Sequence, residues 1–235
     1  MYLEGFANRV ALVTGGSRGI GRKVAETLRD LGAAVAVGDL HAPDIPGVFG
    51  VELDVTSESS VQAAVEAVTA ELGSPDIAVL NAGVFVVEAF ESTTLQSWQR
   101  TISVNLTGAF LCAQAVLPSM RERGYGRVLS IGSSAGITGG SKSMAAYGAS
   151  KAGVMALAKS IATEYAQFGV TSNALAPSLI ETDMVAGIAE LVDRIPVRRL
   201  GQPRDVADLV AFLCSEHAGF ITGAVVDING GFLIR

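Results

Sequence analysis

The sequence predicts an α/β protein: a doubly wound parallel sheet of about seven strands with helices on both faces. Three observations carry that expectation. Apolar runs of strand length alternate with helical patterns from one end of the chain to the other. The strand candidates are continuously apolar, as strands covered on both faces must be. The first of them, ending in Leu12-Val13-Thr14, runs straight into a glycine-rich turn that opens a helix, which is the start of a βαβ unit.

In chain order, the first strand spans Arg9 to Thr14, a helix follows from about Ile20 to Leu31, and a second strand covers Ala34 to Gly38. Further strands are expected at Gly50 to Asp54, Ile77 to Leu80, Arg127 to Gly132, Val170 to Ala176 and Ala224 to Ile228. Helices are expected between them at Ser57 to Leu72, Leu95 to Arg123, Ala145 to Phe168 and Pro203 to Cys214. No linker, internal repeat or low-complexity stretch divides the chain, and 235 residues suffice for one large core, so residues 1–235 are expected to form a single domain.

Composition excludes some partners. Lys and Arg number 17 against 23 Asp and Glu, a formal charge of -6 with no block of one sign, which argues against nucleic acid or an anionic membrane. The hydrophobic share is 49% and the mean hydropathy +0.43, but the apolar residues are scattered, and no stretch is expected to reach the roughly 20 residues that span a bilayer. Met1-Tyr2-Leu3-Glu4-Gly5 lacks a basic segment followed by an apolar one, so cytoplasmic residence is the expectation. Cys112 and Cys214 sit among apolar residues without ligand-like spacing, which predicts buried free thiols and no metal site. His41 and His217 lie in polar, turn-like contexts and suggest no role.

Two stretches carry chemistry on their own. In Gly15-Gly16-Ser17-Arg18-Gly19-Ile20-Gly21, glycines at 15, 19 and 21 permit a tight turn, close backbone approach to a pyrophosphate and packing of the helix on the sheet. Asp39, at the end of the second strand, can accept hydrogen bonds from ribose hydroxyls and repel a 2′-phosphate, favouring NAD over NADP, while Arg18 pulls toward NADP. Asp54-Val55 fits either an adenine edge or the cap of the next helix. The second stretch is Tyr147-x-x-x-Lys151: four residues place the two side chains on one helix face, where a cation favours ionisation of a phenol that otherwise titrates near pH ~10.

With the glycine loop, Asn81-Ala82-Gly83 and Tyr147-x-x-x-Lys151 in order, the sequence resembles the short-chain dehydrogenase/reductase family over essentially its whole length. It is most similar to the 3-oxoacyl-acyl-carrier-protein reductase branch, through Asn105-Leu106-Thr107-Gly108-Ala109-Phe110, Tyr147 to Gly153 and the ending Ile221 to Asp227. The resemblance implies a Rossmann fold and hydride transfer between a nicotinamide cofactor and a carbonyl or secondary alcohol. It implies that Tyr147 handles the proton, Lys151 assists it and holds the nicotinamide ribose, and Asn105 holds a water that links Lys151 to solvent. A serine polarises the carbonyl. The strand end favours Ser133 and the usual distance to the tyrosine favours Ser134, with Ser133 preferred because loops absorb insertions. Asn81, Ala82 and Gly83 would approach the adenosine ribose, and Pro177, Ile180 and Thr182 would hold the carboxamide, with Ser178 standing where the family usually has glycine. Residues 183–199, including Met184, Val185, Ile188, Leu191, Val192 and Ile195, are expected to form a short apolar lid, and Arg194, Arg198 and Arg199 could attract an anionic carrier. The substrate is expected to be a 3-oxoacyl thioester, with a sugar, steroid or hydroxy acid as the alternative, and a homotetramer or homodimer is implied through the two long helices. A non-catalytic nucleotide sensor is disfavoured because the serine, tyrosine and lysine are all kept.

Overall fold

The computed structural model describes residues 3–182 and 189–235. Seven parallel strands form one sheet: β1 (Val10–Thr14), β2 (Ala34–Asp39), β3 (Phe49–Glu52), β4 (Ile77–Leu80), β5 (Gly126–Ile131), β6 (Val170–Pro177) and β7 (Val225–Ile228). Their spatial order is β3-β2-β1-β4-β5-β6-β7. The chain therefore steps outward from β1 on one side, then restarts at β4 and steps outward on the other. That reversal opens a crevice at the carboxyl ends of β1 and β4, where open α/β sheets bind ligands.

The continuous apolar runs are explained by cover on both faces. Along β1, Ala11 and Val13 face one helical layer and Val10 and Leu12 the other. The first layer holds α1 (Gly19–Asp30) and α7 (Pro203–Cys214), whose Val24, Leu28, Val206 and Val210 are fully buried. The second holds α2 (Glu58–Glu71), α4 (Gly108–Arg123) and α6 (Ala145–Tyr165), represented by Val68, Val116, Met120 and Val154. Cys112 and Cys214 are buried free thiols in these layers, and burial pushes each up to about 12.

Local chemistry sets the element ends. The Ser57 hydroxyl accepts from Ser60 N and starts α2, while Gln202 and Asp205 form a capping box around Pro203 at the start of α7. The third strand stops at Glu52 rather than Asp54, because Asp54 Oδ1 accepts from Thr56 N at 2.9 Å and Thr56 Oγ1 at 2.7 Å, closing a turn instead of continuing a ladder. A four-residue helix, α5 (Ala135–Thr138), fills the connection after β5.

The single helix expected over Leu95 to Arg123 is interrupted. Helix α3 (Leu95–Ile102) leads into a π-helical turn at Ser103–Thr107 before α4. Taken together this run of 29 residues is long and apolar enough to cross a bilayer by length and composition, which the scattered apolar pattern had not suggested. Part of it packs within the fold, with Val116, Leu117 and Met120 under the sheet, while Leu95 and Phe110 are exposed.

Candidate active site

The crevice between β1 and β4 is tied together by side chains. Thr14 Oγ1 accepts from Asn81 N and Ala82 N, both at 3.1 Å, and Asn81 Nδ2 donates to Thr14 O at 3.0 Å and Gly15 O at 2.7 Å. These bonds draw the glycine loop onto Asn81-Ala82-Gly83 so closely that side chains are excluded. A Cβ on Gly15, whose φ is +65°, would lie 2.7 Å from Ala82 Cα, and one on Gly21 would lie 2.5 Å from Gly15 O. Arg18, the N-cap of α1, makes no side-chain cap bond, and no acidic residue sits in the first turn. The helix thus presents uncapped N–H groups and the positive end of its dipole, which is a site for a phosphate. Gly19 faces the Thr182 methyl, 3.5 Å from where its Cβ would be.

Asp39 lies beside this loop. Its Oδ2 accepts from Ser17 N at 3.1 Å and its Oδ1 from Leu40 N at 2.9 Å, while Arg18 is exposed and has no hydrogen bond or ion pair among the described residues. The two readings left open for Asp54-Val55 also acquire a geometry. Asp54 is committed to the turn before α2, and Val55 is buried against Gly108, where a Cβ would meet its side chain 2.7 Å away.

A cavity of about 720 Å³ extends from the loop. Its nucleotide end is lined by Ile20, Asn81 and Gly83; its far wall brings in Ile131, Ser133, Tyr147 and Lys151. Pro177, Ile180 and Thr182 close it from the segment after β6. In that segment Ser178 N donates to Ile228 O at 3.0 Å. The left-handed conformation that glycine would favour falls one position later, on Leu179 at φ +53°, a strained state for a branched side chain.

Ser133, Tyr147 and Lys151 meet because β5 delivers the serine just past its end and α6 packs across that end. The Ser133 hydroxyl and the Tyr147 phenol border the same cavity, and the Ser133 oxygen accepts from Ala135 N at 3.1 Å. Ser134 also borders the cavity, but its carbonyl is taken up by Ile137 N and Thr138 N in starting α5. Burial raises the Tyr147 pKa above its ordinary value, against an opposing influence from the nearby Ser133 hydroxyl, so the phenol rests protonated. Phe85 meets its ring edge-on, with centroids 4.9 Å apart.

Lys151 departs from the simple expectation of a cation against a phenol. Its Nζ sits 5.8 Å from the Tyr147 ring centroid and donates to Ile131 O at 2.7 Å. Burial lowers its pKa from 10.5 to about 8. Asn105, in the π-turn, is 1% exposed and its side chain is already engaged. Oδ1 accepts from Val84 N at 2.8 Å, and Nδ2 donates to Val84 O and Ser150 Oγ, both at 3.0 Å. Ser150 in turn donates to Tyr147 O at 2.8 Å. Gly83 fits between: a Cβ there would lie 3.3 Å from Asn105 Oδ1 and 3.5 Å from Lys151 Nζ. Sequence reasoning missed Ser150, Phe85 and the Thr14 tie. Ser150 lies inside the Tyr147-to-Lys151 stretch but one position off its shared face, which is the only signal it gave.

Of the expected lid, Asp183, Met184, Val185 and Ile188 lie outside the described residues. The described part is a 3-10 turn at Ala189–Arg194, from which Leu191 and Arg194 border the cavity, followed by buried Ile195.

A fold with a phosphate-binding loop at its switch point, opening into a cavity with a Ser-Tyr-Lys cluster, defines a nicotinamide-dependent oxidoreductase. Comparison with known proteins agrees. The family profile described as Enoyl-(Acyl carrier protein) reductase matches residues 15–233. The chain is 41% identical over 231 residues to 3-oxoacyl-[acyl-carrier-protein] reductase MabA of Mycobacterium bovis, covering 96% of this chain and 93% of that one. It is 38% identical over 245 residues to cis-4-hydroxycyclohexanecarboxylate dehydrogenase of Sinomonas cyclohexanicum, covering 97% and 98%. The crystal structure of levodione reductase superposes with a TM-score of 0.90 at 33% identity, over 97% of this chain and 98% of that one. The chain belongs to the short-chain dehydrogenase/reductase family.

The clamp at Asn105 gives a structural prediction. Asn105→Ala leaves the part-buried Val84 N–H and C=O without their partners, so it should lower unfolding free energy by about 1–3 kcal/mol in a urea titration; unchanged stability would contradict the assigned bonding.

Proposed function

We propose that this chain reduces the keto group of a 3-oxoacyl thioester, with Tyr147, Ser133, Lys151 and Asn105 forming the proton-handling unit. The observation that carries the reading is the convergence of Ser133, Tyr147 and buried Lys151 on one cavity that reaches Ile20 and Asn81 at the glycine loop. The substrate oxygen would accept hydrogen bonds from Ser133 Oγ and Tyr147 Oη. When bound, the nicotinamide ring supplies the hydride in reduction or takes it in oxidation. Tyr147 passes its proton to the carbonyl oxygen in reduction and removes one from the alcohol in oxidation. Lys151, the nearest cation, would stabilise the phenolate left behind and exchange its own proton toward Asn105, which lies across Gly83 from it. The thioester assignment is supported by the 41% identity to a 3-oxoacyl-[acyl-carrier-protein] reductase. The second reading, a dehydrogenase of a small hydroxy compound, is favoured by Asp39 and by the 38% identity to a dehydrogenase of a hydroxycyclohexanecarboxylate.

For the cofactor, the loop fits a dinucleotide: uncapped N–H groups at α1 and backbone too close for side chains at Gly15 and Gly21. NAD(H) is the proposed form, since the Asp39 carboxylate stands bonded to the loop where it would repel a 2′-phosphate, with exposed Arg18 reducing the discrimination. The assembly is proposed to be a homotetramer or homodimer joined through α3–α4 and α6, with exposed Leu95 and Phe110 available for contact; a monomer in sedimentation equilibrium would refute that. Two unpaired buried cysteines suit a cytoplasmic location.

Tyr147→Phe should cut kcat at least about a thousandfold in the preferred direction while the NADH dissociation constant stays within a few-fold, because the phenol is the proton carrier and not the main cofactor contact. Retained turnover would end the mechanism. Initial rates with acetoacetyl thioesters against a panel of secondary alcohols separate the two substrate readings. By fluorescence titration NADH should bind about tenfold tighter than NADPH, and Asp39→Ser should narrow the gap; tighter binding of NADPH by the native chain would overturn the NAD assignment.

A further inference from the structure

Among the described residues that line the 720 Å³ cavity, two carry positive charge, Lys151 and Arg194, and none carries negative charge. Lys151 is spoken for by the Ile131 carbonyl. Arg194 is not. Its guanidinium has no hydrogen bond or ion pair among the described residues, and its recorded neighbour is the Phe232 ring, 5.3 Å from Cζ to centroid. The other two arginines of this segment differ sharply. Arg198 donates to Asp193 O at 3.0 Å and approaches Asp193 Oδ1 at 3.4 Å, and Arg199 is bidentate to Asp205 at 2.6 and 2.9 Å. Two arginines of this segment thus have acidic partners, and the one on the cavity wall has none among the described residues.

The position of Arg194 is held from both sides. Ile195, next in sequence, is 2% exposed and packs on the Gly230 loop. Val197 N donates to Gly230 O at 3.2 Å, and Phe232, two residues beyond Gly230, lies against the guanidinium and borders the same cavity. An aromatic face within about 6 Å orients a guanidinium and leaves its N–H edge for a planar anion. Phe85, Val87, Met144 and Leu191 give the cavity apolar walls beside Arg194, which is itself exposed.

We infer that Arg194 is a specificity-determining residue that selects substrates carrying an oxyanion remote from the reacting carbon. This rests on the reading of the cavity as the substrate site. The shared chemistry is a planar or tetrahedral oxyanion on an apolar body, and it has two sources: the carboxylate of a small oxo or hydroxy acid, or the phosphate of a pantetheine arm bearing the thioester.

The test compares neutral and charged isosteres. One pair is 4-oxocyclohexanecarboxylate and its carboxamide; the other is acetoacetyl-phosphopantetheine and acetoacetyl-pantetheine. In at least one pair the native enzyme should favour the charged member about tenfold or more in kcat/KM. Arg194→Gln should collapse that ratio toward one through KM, with kcat little involved, and Arg194→Lys should restore part of it. The pair showing the effect identifies the source. A native ratio near one in both pairs, or a ratio that survives Arg194→Gln, overturns the inference. Failure of the native enzyme to turn over any of the four ketones would count against the proposed function instead. Calorimetric binding then decides for Arg194, with cyclohexanecarboxylate against its carboxamide and phosphopantetheine against pantetheine on the NAD-saturated protein. Tighter binding of a charged member that is lost in Arg194→Gln supports the inference, and equal binding within both pairs overturns it.

Discussion

A buried ammonium with no carboxylate beside it among the described residues is the constraint around which this site is arranged. Lys151 is 5% exposed, and the partner holding its Nζ is the Ile131 carbonyl at 2.7 Å. Taking a charge out of water is costly unless hydrogen bonds offset it, and the cost appears as a pKa lowered to about 8. Such a group exchanges its proton near neutral pH, whereas a solvated lysine does not. The arrangement requires β5 to end where its last carbonyl is free to accept, and α6 to cross that end in the right register. It also requires Gly83 to leave room, since a side chain there would press on both Lys151 and Asn105.

The same crossing fixes the phenol. Tyr147 stands one helical turn before Lys151, sharing the cavity with Ser133 from the strand end and braced edge-on by Phe85. The network Asn105–Ser150–Tyr147 O links the π-turn to α6, so the segment after Asn81-Ala82-Gly83 and the catalytic helix hold one another in place. On the other side of β4, the Thr14 and Asn81 bonds draw the glycine loop against the same segment. The glycine loop and the proposed proton carriers therefore share one strand end, and a nucleotide bound at α1 would lead into the cavity that Tyr147 lines.

Much of this was legible in the sequence. Residue types that recur at fixed spacing on one helix face, such as Tyr147 and Lys151, survive translation into three dimensions because the helix preserves the spacing. Glycines 15, 19 and 21 were legible because each answers to a steric need that glycine meets best. The preference for Ser133 over Ser134 followed from a strand end, and both serines border the cavity. What could not be read depends on contacts distant in sequence. The Lys151–Ile131 bond joins residues on different elements, so the spacing suggested a cation turned on the phenol where the structure turns it on a carbonyl. The π-turn at Ser103–Thr107 shares the apolar pattern of the helices around it, since one added residue per turn hardly changes a periodicity. Asp54 was ambiguous because a carboxylate after a strand serves a turn and a ligand equally well. The pairing that singles out Arg194 from Arg198 and Arg199 depends on Asp193, Asp205 and Phe232, which no local pattern connects.

The most direct measurement is a titration of Lys151 itself, by NMR of lysine side chains in the cofactor-free protein, with the resonance assigned by its loss in Lys151→Arg. Burial against the Ile131 carbonyl predicts a midpoint near the value of about 8, well separated from the solvated lysines. A midpoint at the ordinary 10.5 would show that the ammonium reaches water, and would contradict the account of how this site moves its proton.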